Sequence, residues 1–135
     1  MFKEIIMSEI ERIKELVHDY QELINRQDRK LFDKLWSNEQ ECILISITDE
    51  FNGKESIYQD FIIGTIQKAY QEIALIAQDI EVNFINEQMA IVVFKYCTEC
   101  IRRDNGEKYG IQGLETQVVI KEANQWKLVH LHYSK

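Results

Sequence analysis

Gln125-Trp126-Lys127-Leu128-Val129-His130-Leu131-His132-Tyr133-Ser134 reads as a β-strand. In strict period two, Trp126, Leu128, His130, His132 and Ser134 share one face. Lys127, Val129, Leu131 and Tyr133 share the other. Two of the chain's three histidines therefore project the same way from an apolar stretch. An apolar wall that ends in titratable groups is how a pocket floor is written in sequence.

Upstream of this strand the period changes. Ile6, Ile10, Ile13, Leu16, Val17, Tyr20, Leu23 and Ile24 step by three and four, the stripe of an amphipathic helix of roughly five turns. Ser8 and Glu11 match a capping box near its start. Asp28 can cap a second helix whose stripe is Leu31, Phe32, Leu35 and Trp36. The run 41–47 is a short strand, 49–53 a turn, and about 55–71 a third helix. From Asp79 the pattern alternates through Ile80, Val82 and Phe84. Met89 to Arg102 is a long strand, Asn105-Gly106 signals a type I′ hairpin, and Tyr109 to Lys121 is the returning strand. Three helices followed by an antiparallel meander imply an α+β fold, one domain over residues 1–135, with helices on one face of a curved sheet.

Lys95, Cys97 and Glu99 face water on the long strand, which turns Val92, Phe94, Tyr96, Thr98 and Cys100 toward the helices. Val118, Ile120, Val129, Leu131 and Tyr133 then form an apolar outer face. A sheet apolar on both sides wants a second partner, so a homodimer through these five residues is expected, and Leu131→Glu should break it.

Composition removes several classes. With 45% hydrophobic residues the 135-residue chain can bury a core. A net charge of −7 opposes nucleic-acid binding and docking on an anionic membrane. No apolar run reaches the length of a membrane span, and Met1-Phe2-Lys3-Glu4 opens no signal peptide. A cytoplasmic location is the default expectation, and three cysteines make a poor disulfide framework.

Each candidate site has a plain structural alternative. Cys97-x-x-Cys100 lies in a strand, where an offset of three puts the thiols on opposite faces. His130 and His132 could share a metal or act as acid and base, but no third ligand is close in sequence. The favoured expectation is two hydrogen-bonded histidines on a cavity floor, with neither metal nor cofactor. Tyr20 and Trp36 are core aromatics or cavity walls; Tyr96 and Gln117 are ligand contacts or structural hydrogen-bonders. Asp49 is a turn residue or a base. Ligand contact is expected from Tyr20, Trp36, Tyr96, Gln117, His130 and His132; chemistry, if any, from His130, His132, Tyr96 and Asp49.

The chain resembles the nuclear transport factor 2-like superfamily, and its SnoaL-like branch in particular, through Tyr20…Arg26-Gln27-Asp28, Leu31…Leu35-Trp36, Gly53, Glu115-Thr116-Gln117-Val118 and the 126–134 strand. That strand is also similar to the calcium/calmodulin-dependent protein kinase II association domain. The resemblance implies a cone-shaped barrel: three helices packed on a strongly curved, mainly antiparallel sheet around a cavity, dimeric through the sheet. Gln117 and Tyr96 stand where the kinase domain carries arginines, so an anionic ligand would lose its partners. Two functions follow: a small-molecule-binding, homo-oligomeric domain, or a cofactor-independent isomerase, cyclase or dehydratase. Either would take a small hydrophobic or carbonyl-bearing molecule.

Overall fold

The computed structural model describes residues 2–135. Helix α1 is Phe2–Arg26. Its stripe from Ile13 to Ile24 is buried, as the spacing requires. Ser8 lies inside this helix and does not start it. Gln27 ends the helix in the left-handed region, φ 52°, with its N–H on Leu23 O at 2.7 Å. Asp28 then caps α2 (Arg29–Leu35), accepting the Lys30 N–H at 2.9 Å.

Two short strands follow, β1 (Ile43–Ile45) and β2 (Glu50–Asn52). The third helix opens as α3 (Lys54–Ser56) and continues with wider π-type turns over Ile57–Gln67. It buries Ile57, Phe61, Ile62 and Ile66, and the helical run ends at Ala69, short of Tyr70. Tyr70 instead begins β3 (Tyr70–Asn86), longer than the expected strand. The sequence hides this because a register shift between Ala77 and Asp79 breaks the alternation. The remaining strands are β4 (Met89–Arg102), β5 (Lys108–Tyr109), β6 (Gln112–Glu122) and β7 (Gln125–Ser134).

The sheet runs β2-β1-β7-β6-β4-β3, with β5 on β4. Only the β1–β7 pairing is parallel. The sheet curls strongly around the helices, giving the α+β cone. Helix α1 also covers the edge strand β3: Gln21 Nε2 donates to Leu75 O at 2.9 Å, and Leu75 N–H donates to Asn25 Oδ1 at 2.7 Å. Edge groups that would otherwise stand open are thus satisfied inside the chain.

Two turns exchange roles with expectation. At Asn105-Gly106 only Gly106 has positive φ, 70°, so this is not a type I′ turn. Ala123 and Asn124 both have positive φ, 47° and 63°, and join β6 to β7 through the pair Glu122–Gln125. That is the mirror-image conformation a two-residue hairpin needs.

The larger correction lies in β7. Val118 pairs with His130 and Val119 with Leu128, which leaves Val129 as an extra, unpaired residue. One extra residue reverses the side-chain parity beyond it. Trp126 and Leu128 point inward before the bulge, and Leu131 and Tyr133 after it. His130 is therefore only partly buried and His132 exposed, on the outer face. The expected histidine floor does not exist. Leu131, fully buried, cannot belong to an outer-face interface, nor can Tyr133, which lines the interior.

Candidate functional site

The inward faces of β3, β4, β6 and β7 meet Tyr20 of α1 and Phe61 of the third helix around a cavity of about 100 Å³. Its wall carries five tyrosines: Tyr20, Tyr70, Tyr96, Tyr109 and Tyr133. One carboxyl group, that of Glu115, faces into it.

Glu115 is placed by parity. On β6, Glu115, Gln117 and Val119 alternate inward while Thr116, Val118 and Ile120 alternate outward. Its neighbours across the sheet are Phe94 on β4 and Tyr133 on β7. The residue is 3% exposed. Gln117 Nε2 donates to Glu115 Oε2 at 2.6 Å, while Oε1 receives no hydrogen bond from the described residues. Burial pushes the carboxyl up to about 8, against the smaller downward pull of the Gln117 amide. At neutral pH Glu115 is thus mostly a carboxylic acid, able to donate one hydrogen bond and accept others.

Tyr20, Tyr96 and Tyr133 stay protonated around it. Burial raises Tyr20, Tyr96 and Tyr133 above the ordinary phenol range, and Glu115 raises each further. The Tyr96 hydroxyl donates to Ser134 O at 3.0 Å. Gly113 permits this approach: a Cβ there would stand 2.7 Å from the Tyr96 hydroxyl and 1.9 Å from Ser134 O. The ring pairs are close, with Phe61 and Tyr133 centroids 6.0 Å apart and Tyr96 edge-on to Tyr133 at 6.4 Å.

Of the residues expected at the site, Tyr20 and Tyr96 line the cavity, and Gln117 supports it from full burial behind Glu115. Trp36 does not line it; it is a core residue 6.1 Å from the Phe32 ring. His130 and His132 are outside the cavity because of the Val129 bulge. Asp49 is exposed in its turn, where Oδ2 accepts the Thr48 hydroxyl at 2.9 Å. Cys97 and Cys100 lie on opposite faces, Cys100 lining the cavity and Cys97 outside. Among the described residues no three His, Cys, Asp or Glu side chains converge as metal ligands. No described helix is long and apolar enough to cross a membrane.

Glu115 was the residue that sequence reasoning passed over. Its signal was present: it sits two positions before Gln117, which the same alternation already turned inward.

Residues 13–135 match the SnoaL-like domain family. The chain belongs to that family. Its fold is shared with a nuclear transport factor 2-like superfamily protein from Salmonella enterica serovar Typhimurium. That protein is 27% identical, with a TM-score of 0.86 over 92% of this chain and 88% of the other. A Novosphingobium aromaticivorans protein assigned as a scytalone dehydratase is 16% identical, TM-score 0.85, over 97% and 86% of the two chains. A Xanthomonas campestris protein assigned to the calcium/calmodulin-dependent protein kinase II association domain is 16% identical, TM-score 0.74, over 90% and 84%. The last two establish shared architecture alone. No curated protein matches the chain. The SnoaL-like architecture thus carries both dehydratase-type and association-domain names, so function rests on the residues in the cavity.

Proposed function

We propose that this SnoaL-like domain binds a compact small molecule in the tyrosine-lined cavity, against Glu115. The observation that carries the reading is the Glu115 carboxyl, on a buried residue, with one oxygen that opens on the cavity and receives no donor from the described residues. Buried polar groups are normally satisfied, and a ligand supplies the missing partner. A fragment screen by NMR tests it. Hits of about four heavy atoms should shift the ring signals of Tyr20 and Tyr133. Hits that move only outer-face residues would sink the reading.

A second reading is catalytic, and the raised Glu115 carboxyl favours it. A group titrating near neutrality can both give and take a proton, as an isomerase or dehydratase acting on a carbonyl compound requires. Loss of turnover in Glu115→Gln, with retention in the double variant His130→Ala, His132→Ala, is its expected signature.

The working unit in this proposal is a homodimer through the outer sheet face. Ile91, Val93, Val118 and Ile120 stand together there, partly exposed, with Val129 at the bulge beside them. Val118→Glu should halve the mass seen by light scattering; an unchanged mass rejects this face.

A further inference from the structure

We infer that the cavity's ligand is a small organic cation, an alkylammonium whose N–H groups bond Glu115 Oε1 and whose alkyl body lies against the tyrosine rings. This rests on the cavity being a ligand site and names the class of ligand it takes.

The first argument is charge. Buried carboxylates are held by cations or by several donors. Glu115 has a single donor, the Gln117 amide, and no Lys, Arg or His lines the cavity. The position that a positive group would occupy is open, and it faces the cavity. An ammonium there gives the carboxylate its counter-ion and gives Oε1 its hydrogen bond.

The second argument is the wall. Rings of Tyr and Phe attract cations through their faces, most strongly when water is excluded. Five tyrosines and Phe61 share the wall with the one carboxyl, and Tyr20, Tyr96 and Tyr133 face it. Tyr109, at the far end of the wall, already accepts a cation on one side: the Arg102 guanidinium lies 4.2 Å from its ring centroid. Arg102 itself is not among the lining residues.

Size and field agree. A cavity of about 100 Å³ is smaller than the ~150 Å³ apolar cavity that accommodates benzene, so the cation has few carbon atoms. The net charge of −7 raises the concentration of cations around the protein.

A neutral carbonyl ligand would use the same cavity in the opposite way, accepting a hydrogen bond from protonated Glu115. The two classes obey opposite pH laws. The groups facing Glu115 are Tyr20 from α1, Phe94 and Tyr96 from β4, Gln117 on its own strand and Tyr133 from β7. The tyrosines are raised above their ordinary range and the others carry no charge, so Glu115 alone titrates near neutrality. Ammonium binding must release the carboxyl proton. Its affinity therefore rises about tenfold per pH unit and levels off above pH 8 or so. Carbonyl binding is level below that point and falls beyond it.

Isopropylammonium and acetone are the matched probes, titrated by calorimetry between about pH 6 and pH 9. Tighter binding of the ammonium, with the rising pH law, is expected; Glu115→Gln should abolish it. The pH law in the unmutated protein carries the test if that variant misfolds. Preference for the ketone, or ammonium binding that ignores pH or survives Glu115→Gln, overturns the cation and leaves the cavity a ligand site. Binding of neither probe, with the Tyr20 and Tyr133 signals unmoved, overturns both.

Discussion

Strand β6 carries two buried carboxyl groups, and they are provided for differently. Glu122, 9% exposed, lies at the hairpin end and accepts the Ser37 hydroxyl; the Lys127 ammonium lies close enough for the two charges to favour each other. Ser37 is itself fixed, since its oxygen accepts the N–H groups of Glu39 at 3.1 Å and Gln40 at 3.0 Å. Glu115, 3% exposed, lies at the cavity end with one amide donor and an open oxygen. The first carboxyl closes a structural network. The second is left incomplete by the protein, and burial alone cannot explain why a carboxyl is retained there.

The contrast can be broken from its open end. Glu115 is an acid whose folded-state value lies above its unfolded one, so the native state holds the proton more tightly. Stability should fall as pH rises from about 5 to about 8, and Glu115→Gln should remove that slope. The shift from 4.5 to about 8 corresponds to about 5 kcal/mol gained by the variant above pH 8, and to nothing below about pH 4. Denaturant unfolding at several pH values reads it directly; equal slopes in both proteins would mean that Glu115 is solvated. At the closed end, Ser37→Ala should lose about 2 kcal/mol, because it strips Glu122 of its donor and two N–H groups of their acceptor. A loss confined to a few tenths would show that Glu122 is not structurally committed.

Smaller effects sharpen the boundary. Tyr96→Phe removes the hydroxyl that bonds Ser134 O and should cost about 1 kcal/mol in thermal unfolding. His132→Ala, on the exposed side of β7, should change stability by less than about 0.5 kcal/mol and leave ligand binding intact. A large binding defect there would return the histidines to the site.

Much of this was legible in the chain. The stripe from Ile13 to Ile24, the Asp28 cap and the alternation of Val92, Phe94, Tyr96, Thr98 and Cys100 all stand as their spacing demands. These are local patterns, enforced by the periods of helix and strand. The two failures in strand register share one cause. Leu128, Val129 and Leu131 offer apolar residues in both parities, so nothing in the sequence marks where the extra residue sits. Around Gln78 the same ambiguity shortened β3. Glu115 was missed for another reason: a glutamate in a strand suggests water, and only its parity with Gln117 says otherwise.

The Val129 bulge works as a frame-shift written in side chains. Deleting that one residue would leave every face as it is, whereas straightening the strand with the residue kept and paired would restore strict alternation, carry His130 and His132 into the cone and expel Leu131 and Tyr133. The catalytic vocabulary of the interior would then change without any substitution. For descent or design within this fold, the register of β7 is as consequential a variable as its composition.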